Sequence, residues 1–398
     1  ASYNRQRIHK EGKAMAQKRL AWGYTTGTCA QAATKAAMQM LFSGAQADQI
    51  QVGLPNGEML TLEIYDIKIA YAAQEDRAPS SVSCAVKKDS GDDPDITDGV
   101  LVYSQVKRTK GSERTLRGGQ GIGTVTKPGL EQPVGSPAIN QVPRKMILQE
   151  VWEACEEAGY IGGIDVEISI PDGERLARKT FNPRLGINGG LSILGTSGRV
   201  EPMSEQALID TIRLEIQVRL AGGSRYLVIA PGNYGLTFLR DAYGIEEKAV
   251  IKCSNYIGQT LDMAAEQGCR GIVLAGHIGK MIKVAGGIMN THSRWADCRM
   301  EILASAALRA GLSGEQSRRL LEALTTDDAL AMLSGGERCL VMEQVMGKIQ
   351  RYLQYRAGGE METGAVVYSN VYGILGKTNL ADVLLKRAVA DMDQDGKK

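Results

Sequence analysis

Four short apolar runs in the second half of the chain constrain its fold more strongly than any other feature. Each run has the length of a buried strand, and helical patterns separate one run from the next. Strands that alternate with helices pair in parallel, because each helix returns the chain to the same edge of the sheet. The sequence therefore predicts an α/β domain with a four-stranded parallel sheet. The predicted strands are "RYLVIAP" (225–231), "KAVIKCS" (248–254), "RGIVLAG" (270–276) and "GAVVYSN" (364–370).

The first half of the chain has a different pattern. Apolar and polar residues alternate over 60–64 and over 166–170, as they do in strands with one buried face. The second alternation leads into Asp172-Gly173, which predicts a hairpin that continues through "ERLARKTF". Helices are predicted after "TTGT" and from Pro143, whose fixed φ suits a first helical turn. These elements predict an α+β domain.

The length of 398 residues exceeds what one hydrophobic core usually supports, and it predicts two domains. We place an α+β domain at 1–195 and an α/β parallel-sheet domain at 196–398, because the pattern changes there. Apolar residues make up 43% and charged residues 23% of the chain, which is an ordinary globular balance. The net charge is +2 with both signs interleaved, so a nucleic acid is not an expected partner.

Cysteine usage and hydropathy bear on the cellular compartment. The seven cysteines are widely spaced and form no CxxC pair, so neither a disulfide framework nor a zinc knuckle is indicated. The basic start, "ASYNRQRIHKEGKAMAQKRL", lacks an apolar region. No apolar run approaches the roughly 18 residues of a membrane span. We expect a cytoplasmic protein without a membrane partner, and a homo-oligomer is left open.

Each of the four predicted strands ends in a loop rich in glycine, asparagine or tyrosine. Ligands bind beyond the carboxyl ends of parallel strands, so these loops predict a site for a small polar ligand. Ordinary turn formation is the alternative for any single loop. The glycine fingerprint of dinucleotide binding does not follow the first strand, and three dispersed histidines indicate no metal site. The candidate residues for binding this ligand, taken as a cofactor, are Gly232, Asn233, Asn255, Tyr256, Gly276, His277 and Asn370.

The stretch "YTTGTCAQAATKAA" (24–37) places hydroxyl groups where a helix is predicted to begin. The first turn of a helix has unpaired N–H groups and a partial positive charge, so anions bind there. Thr25, Thr26 and Thr28 would add hydroxyl donors, and Gly27 would let an N–H group face outward. The alternative is a plain N-cap followed by good helix formers. Both interpretations stay open at this point.

The segment "AVKKDSGDDPDITDG" (85–99) combines two lysines with five aspartates. Its spacing fails the calcium-loop pattern, because the glycine comes one position late and Ser104 stands where glutamate is required. A magnesium site, a substrate-facing loop and a solvated turn remain as alternatives. The run from 118 to 146 is rich in glycine and proline, and it predicts a long ordered loop.

Long motifs follow one another in a fixed order through the chain. They are "GYTTGTCAQAATKAA", "VKKDSGDDPDITDG", "GGQGIGTVTKPG", "PVGSPAINQVPRKMI", "NPRLGINGGLSILGTSGRVEPMSEQAL", "APGNYG" and "GHIGKMIKVAGGIMNTHSRWAD". In this order they resemble the cobalt-precorrin-5B C1-methyltransferases (CbiD-type) of anaerobic cobalamin biosynthesis. The resemblance covers roughly residues 20 to 375.

The resemblance implies a fold as well as a reaction. The fold is an α+β domain like the second domain of ribosomal protein S5, followed by an α/β domain with a four-stranded parallel sheet. The reaction is transfer of a methyl group from S-adenosyl-L-methionine to C1 of a cobalt-containing tetrapyrrole, giving cobalt-precorrin-6A. The cobalt is carried by the substrate and not by the protein.

A tetrapyrrole of this kind has several acetate and propionate groups, which basic side chains and helix starts bind. The sulfonium of the donor is already activated, so no catalytic residue is assigned. A small-metabolite kinase and a non-catalytic corrinoid-binding protein are the alternative functions. The candidate substrate-binding residues are Thr25, Thr26, Gly27, Thr28, Lys87, Lys88, Asp89, Asp92, Asp93, Arg144, Lys145 and Arg184.

Overall fold

The computed structural model describes residues 20–71 and 78–395 of the chain. The basic start singled out from the sequence lies outside the described residues. Within the described residues, no helix is both long enough and apolar enough to cross a membrane.

Short strands and helices alternate along the described chain. The strands are β1 (Gly23–Tyr24), β2 (Gln49–Gly53), β3 (Met59–Glu63), β4 (Tyr65–Tyr71), β5 (Pro79–Lys87), β6 (Leu101–Thr109), β7 (Arg114–Gly118), β8 (Thr124–Val125), β9 (Gly163–Ser169), β10 (Ile187–Asn188), β11 (Arg199–Val200), β12 (Tyr226–Ala230), β13 (Val250–Lys252), β14 (Gly271–His277), β15 (Glu362–Ser369) and β16 (Gly373–Lys377). The helices are α1 (Thr26–Ser43), α2 (Gln141–Glu157), α3 (Gly173–Ala177), α4 (Glu205–Ala221), α5 (Asn233–Tyr243), α6 (Ile257–Glu266), α7 (Ile278–Ala285), α8 (Arg299–Arg309), α9 (Gly314–Leu320), α10 (Thr326–Ala331), α11 (Gly335–Arg356) and α12 (Ala381–Asp395).

The chain forms two compact units that are not continuous in sequence. Among the described residues, the first unit contains the chain up to 123, 137–180 and 189–204, and the second contains 124–136, 181–188 and the chain from 205. A Cβ atom at Gly129 would lie 2.8 Å from Val218 Cα, so the segment around Gly129 packs closely on α4. Such close contacts assign each segment to its unit. The resulting division of the chain differs from the single boundary at 195 that the sequence pattern suggested.

The first unit is built on a five-stranded sheet with the order β4-β5-β6-β9-β7. Neighbouring strands run antiparallel, except that β7 is parallel to β9. Helix α1 packs on β5 and β6, and α2 packs beside α1. The inward residues of the strands, such as Val82, Val102 and Val166, are fully buried and share one core with the alanines of α1. The alternation seen in the sequence therefore marks the buried face of this sheet.

Helices α1 and α2 lie side by side with their N-termini at the same end. A Cβ atom at Gly27 would lie 2.7 Å from Pro143 Cγ, so the two helix starts are in direct contact. Further along, Gln31 Nε2 donates to Glu150 Oε1 at 2.7 Å, and Lys35 Nζ lies 3.4 Å from Glu150 Oε2. Small side chains permit this approach, since the alanines of α1 that face the core are completely buried.

The prediction of a hairpin after Asp172 is wrong. Residues Gly173–Ala177 form the short helix α3 instead of a strand. Strand β9 already pairs with β6 on one side and with β7 on the other, so it has no edge left for another strand. Gly173 N donates to Ile170 O at 2.7 Å, and this turn starts α3 directly after the strand.

The second unit is built on a five-stranded sheet with the order β13-β12-β14-β15-β16. The four apolar runs predicted as strands form β12 to β15, and these four pair in parallel. The expected four-stranded sheet has to be corrected to five strands, because β16 pairs antiparallel with β15 at the edge. Its sequence, "GILGK", was missed because it is short and contains two glycines.

Helices cover both faces of this second sheet. One core cluster joins the sheet to α4, α6, α7, α8 and α11, and another joins it to α5 and α12. The strand order reverses at β12, since β13 lies on one side of it and β14 on the other. In open α/β sheets such a reversal leaves a crevice between the loops that follow the two diverging strands. The fold thus marks the ends of β12 and β14 as a candidate ligand site.

Candidate functional site

The loops that follow β12 and β14 meet where the strand order reverses. Lys280, in the first turn of α7, donates from Nζ to Pro231 O at 2.9 Å and so bridges the two strand ends. Burial lowers the pKa of Lys280. A Cβ atom at Gly235 would lie 3.2 Å from Ala275 O, so the start of α5 rests directly on β14. The two strand ends are therefore held together by one lysine and one close glycine contact.

A chain of polar side chains leads from β14 to β15. His277, the N-cap of α7, accepts a hydrogen bond at Nδ1 from Gly279 N at 3.2 Å, and its Nε2 lies 3.5 Å from Asp327 Oδ2. Asp327 Oδ1 accepts from Ser369 Oγ at 2.7 Å. The ring of His277 also meets the ring of Tyr368 edge-on, with centroids 5.6 Å apart. Because Nδ1 is an acceptor, the proton of a neutral imidazole lies on Nε2, which makes no hydrogen bond within the described residues although Asp327 is near.

A cavity of about 360 Å³ is lined in part by Tyr368 and Ser369, which also contact His277 and Asp327. Helix α5 contributes Tyr234, Phe238 and Asp241 to the lining, and the end of β15 contributes Tyr368 and Asn370. The rings of Phe238 and Tyr368 are stacked, with centroids 4.1 Å apart and planes inclined by 5°. The cavity therefore combines flat aromatic groups with a carboxylate and an amide. In size it falls within the usual range of small-molecule sites, about 300–1,000 Å³.

A second cavity of about 260 Å³ also uses α5. Its lining includes Asn233, Arg240, Glu247 and Lys252. Lys252 Nζ lies 3.2 Å from Glu247 Oε1, so this cavity mixes cations with a carboxylate. Gly232 precedes the helix, and no described atom lies within 4 Å of a Cβ atom built there. The backbone at the start of α5 is therefore open to a ligand.

The seven residues predicted from the strand-end loops fall into two groups. Four lie at the two cavities or at the strand reversal, namely Gly232, Asn233, His277 and Asn370. Gly276 instead allows close packing, since a Cβ atom there would lie 2.9 Å from Met281 Cγ and 3.2 Å from Pro231 Cγ. A ligand-binding role for each of these residues stays a prediction.

Asn255 and Tyr256 connect the end of β13 to the loop that follows α7. Asn255 Oδ1 accepts from Thr291 Oγ1 at 3.2 Å. Tyr256 is buried, and burial together with the Glu205 carboxylate raises its pKa. Ser254, directly before them, has a φ of 52°, a left-handed conformation that costs a non-glycine residue on the order of 1 kcal/mol. Their contacts are structural, and binding of a ligand by these two residues stays a prediction.

The loop after α7 is anchored by a buried lysine. Lys283 is 4% exposed, and its Nζ donates to Thr291 O at 3.2 Å and to Ala296 O at 2.8 Å. The same loop carries Trp295, which is 65% exposed. An ordered loop thus presents a large aromatic side chain to solvent.

The hydroxyl groups at the start of α1 are all used within the first unit. Thr25 caps the helix by accepting from Thr28 N at 3.2 Å, and Thr28 Oγ1 donates to Gly198 O at 2.8 Å. Thr26 Oγ1 accepts from Leu194 N at 3.0 Å. The three threonines are 6%, 0% and 4% exposed in that order. The threonines fasten the glycine-rich segment 194–198 to the helix start. Their binding of a substrate carboxylate stays a prediction.

The sequence suggested that Gly27 lets an N–H group face outward, and the structure shows that it does not. This N–H group donates to Leu194 O at 3.0 Å. The physical reason for glycine here is the contact with Pro143, which leaves no room for a side chain. Gly27 therefore serves the packing of the two helix starts.

The acidic segment 85–99 is held by contacts of its own side chains. Lys88 is buried and donates from Nζ to Asp95 Oδ2 at 2.7 Å. Burial alone would raise the pKa of Asp95, but the hydrogen bonds from Lys88 and Thr97 hold that pKa below its usual value. This lysine is thus committed to a structural ion pair.

The remaining aspartates of the segment also hold backbone in place. Asp89, Asp92 and Asp93 each accept a hydrogen bond from a backbone N–H group, at 2.8, 2.7 and 2.9 Å. Over the described part of the chain, no group of three or more His, Cys, Asp or Glu residues is arranged to hold a metal ion. The segment is therefore a hydrogen-bonded loop, and its predicted contact with substrate stays untested.

Three of the predicted basic residues have no ion-pair partner among the described residues. Arg144 and Lys145 lie at the start of α2, and Lys87 ends β5. Tyr24, just before α1, donates from its hydroxyl to Lys87 O at 3.0 Å, which places Lys87 at the end where both helices begin. Asn140 makes no side-chain cap hydrogen bond within the part of the chain described. These three side chains are therefore not committed to ion pairs within the described part of the chain, although Asp89 also lies at this end, where its carbonyl accepts from Tyr24 N at 2.8 Å.

Arg184 belongs to the second unit and is engaged there. Its guanidinium lies 3.4 Å from Glu215 Oε1, and it donates to Val250 O and to Glu247 O at 3.2 Å each. Its side chain is 16% exposed. The arginine thus ties its segment to α4 and β13, and its direct contact with a substrate stays a prediction.

Comparison with known proteins assigns the chain to a family. The CbiD family model matches residues 13–202, and the model of the CbiD C-terminal domain matches residues 290–379. A relative from Ruminiclostridium cellulolyticum, named cobalt-precorrin-5B C(1)-methyltransferase, is 46% identical over 355 residues, which is 89% of this chain and 90% of the relative. The chain belongs to the CbiD family.

Two other relatives carry the same name. The protein from Alkaliphilus metalliredigens is 42% identical and covers 93% of this chain and 95% of its own length. The protein from a Thermoanaerobacter species is 46% identical and covers 81% of this chain and 84% of its own length. A crystal structure of the cobalamin biosynthesis protein CbiD from Archaeoglobus fulgidus is 26% identical, covers 69% of this chain and 83% of that chain, and has a TM-score of 0.37.

Several residues at the cavities of this CbiD protein were missed from the sequence. Asp327 and Tyr368 lie within the range of the C-terminal family model, whereas Phe238 and Asp241 lie between the two matched ranges. Tyr368 belongs to an apolar strand and is indistinguishable there from a core residue. Lys280 follows the "GHIG" loop and could have been found, since a lysine in the first turn after a parallel strand faces the carboxyl edge of the sheet.

Proposed function

We propose that this protein transfers a methyl group from S-adenosyl-L-methionine to C1 of cobalt-precorrin-5B in cobalamin biosynthesis, giving cobalt-precorrin-6A. The observation that carries this function is the 46% identity, over 89% of the chain, to a relative named for this reaction. We assign the cobalt to the substrate and not to the protein, an assignment supported by the relative's name, cobalt-precorrin-5B C(1)-methyltransferase.

The chemistry requires alignment more than a reactive side chain. S-adenosyl-L-methionine supplies an activated methyl group, and the electron pair of the broken C–S bond stays on sulfur while a carbon of the macrocycle supplies the pair of the new bond. The protein has to hold the two reactants in line and exclude water, which is worth about 7–11 kcal/mol in favourable cases. Rigid elements serve this purpose best.

The donor is assigned to the carboxyl edge of the second sheet. Gly232 leaves the backbone at the start of α5 open, and Asn233 and Asn370 line the two cavities. Asp327, half-exposed beside His277, adds negative charge that suits a sulfonium. The carboxylate of Asp327 thus suits the cationic end of the donor, whereas the cavity at Asn233 also contains Arg240 and Lys252.

The substrate carboxylates are assigned to the first unit, at the end where α1 and α2 begin. Lys87, Arg144 and Lys145 lie there without ion-pair partners among the described residues, and the helix starts add partial positive charge. The threonines of α1 contribute indirectly, because they hold the adjoining loop in place. For the fold of this unit we keep the likeness to the second domain of ribosomal protein S5, supported by two parallel helices on one face of its sheet.

The test is an anaerobic incubation of the protein with cobalt-precorrin-5B and S-adenosyl-L-methionine labelled with carbon-13 in its methyl group. We expect the tetrapyrrole to gain one labelled methyl group by mass spectrometry, and magnetic resonance should place that label on C1. A reaction without donor is the control. Binding of the tetrapyrrole with no gain in mass would contradict the methyl transfer and would favour a carrier.

A further inference from the structure

The 360 Å³ cavity between α5 and the end of β15 contains a buried polar group that has no partner. Tyr368 is 2% exposed, and its hydroxyl finds no hydrogen-bond partner among the described residues. Burial raises the pKa of this tyrosine to about 12, so the phenol stays protonated and remains a donor. Leaving such a group unpaired costs about 1–3 kcal/mol, a cost that a bound acceptor would remove.

The shape of the cavity favours a flat ligand. Phe238 and Tyr368 are stacked within it, and Tyr234, which is 75% exposed, stands at its open side. Ser369 and Asn370 add hydroxyl and amide groups at the end of β15. Aromatic side chains stack on a nucleobase, and amides and hydroxyls bind its polar edge.

The charge of the cavity disfavours anionic ligands. Asp241 is its charged lining residue, and none of the described residues that line it is a lysine or an arginine. One oxygen of Asp241 accepts from Arg240 Nε at 2.9 Å in an exposed pair, which leaves the other carboxylate oxygen for a ligand. A carboxylate binds the two hydroxyls of a ribose, whereas phosphates or the carboxylates of a tetrapyrrole would be repelled.

We propose that this cavity is the binding site for the adenosine part of the methyl donor. The base would lie against Tyr234, the ribose hydroxyls would donate to Asp241, and the Tyr368 hydroxyl would donate to the nucleoside. The assignment rests on the proposed methyltransferase function. It adds Tyr234, Asp241 and Tyr368 to the binding residues, none of which was singled out by the strand-end loops. The tetrapyrrole does not enter this cavity.

The decisive variant is Tyr368→Phe, which removes the hydroxyl and keeps the stacked ring. Because the hydroxyl is unpaired in the free protein, the variant should melt at the same temperature as the wild type or higher. Its affinity for S-adenosylhomocysteine, measured by calorimetry, should fall about tenfold, the equivalent of about 1.4 kcal/mol. A residue that acted only in folding would change the melting temperature and not the affinity.

A second variant, Asp241→Asn, tests the ribose contact and should also weaken S-adenosylhomocysteine about tenfold. Adenosine alone should lose the same factor in each variant, because the contacts are to the nucleoside. The matched controls are Tyr226→Phe, at the opposite end of the same sheet, and Asp382→Asn, an exposed aspartate of α12 paired with Lys377. Both controls should bind like the wild type.

The outcomes separate the two proposals. If both variants bind S-adenosylhomocysteine as tightly as the wild type, and the wild type transfers the methyl group, the adenosine-binding site is wrong and the proposed function stands. Loss of affinity for S-adenosylhomocysteine without loss for adenosine also overturns the adenosine-binding site. If the wild-type protein binds no S-adenosylhomocysteine and transfers no methyl group, both the proposed function and the adenosine-binding site are wrong.

Discussion

The start of α1 and the carboxyl edge of the second sheet are both rich in polar groups, but they use them differently. At the helix start, every threonine hydroxyl is buried and hydrogen-bonded within the unit. At the sheet edge, the Tyr368 hydroxyl and His277 Nε2 have no hydrogen-bond partner among the described residues. A dense cluster of polar residues in sequence is therefore weaker evidence for a ligand site than a single buried group left unpaired.

The comparison is tested most strongly by Thr26→Val, which should reduce stability and not substrate affinity. The substitution removes the acceptor of Leu194 N, whose hydrogen bond is partly buried, and the same hydroxyl lies 3.2 Å from Ser192 O. A polar group that loses its partner costs about 1–3 kcal/mol, so we expect a loss of that size in the free energy of unfolding. Urea denaturation measures this loss.

Thr61→Val is the matched control for that experiment. Thr61 is an exposed residue of β3 in the same unit, and it should change stability by no more than about 0.5 kcal/mol. If Thr26→Val kept its stability and instead raised the KM for the tetrapyrrole, the hydroxyl would belong to the carboxylate site after all. That result would erase the contrast between the two regions.

The basic residues at the start of α2 offer the next largest effect. Arg144→Gln and Lys145→Gln should each raise the KM for the tetrapyrrole about tenfold, since a hydrogen bond to a charged group is worth about 1.5–3 kcal/mol. Stability should stay the same or rise slightly, because a cation at a helix N-terminus is unfavourable. Steady-state kinetics and urea denaturation measure the two quantities.

Lys110→Gln controls for the general loss of positive charge from the unit. Lys110 is exposed and follows the end of β6. A KM that rose equally in this control would indicate long-range attraction, whereas unchanged KM values in all three variants would remove the start of α2 from the site. The expected pattern is the reverse of that for Thr26→Val, which makes the pair of experiments diagnostic.

Much of the fold could be predicted because its signals are local. Apolar runs with helical patterns between them gave the four parallel strands of the second sheet, and alternation gave the buried face of the first. The helix in place of the hairpin at Gly173 could not be predicted, since it follows from the prior pairing of β9 on both edges. Pairing between distant strands is not encoded in the residues of the turn itself.

The candidate site was predicted less completely, for a related reason. Asn233 and Asn370 do line the two cavities, because loops at strand ends converge in this class of fold, and their binding of a ligand stays a prediction. Tyr368 was missed because only the three-dimensional surroundings of its hydroxyl distinguish it from a core tyrosine. Lys88 pairs with Asp95 and Arg184 with Glu215, which the sequence pattern did not show, and contact of either residue with substrate stays a prediction.

The smallest effect is expected at Glu150, where a buried carboxylate links α2 to α1. Burial raises its pKa above the ordinary 4.5, although Gln31 and Lys35 oppose the shift. Between the two pKa values the folded protein binds more protons than the unfolded chain, so stability falls as the pH rises through that window. Glu150→Gln should flatten this slope in urea denaturation from pH 4.5 to 7 and be slightly more stable at pH 7, while the exposed Glu153→Gln should retain the slope. If Glu150→Gln were less stable at pH 7, the ion pair with Lys35 would contribute more than the burial of the charge costs. The α1–α2 contact would then compensate its buried charge as fully as it pairs the threonine hydroxyls.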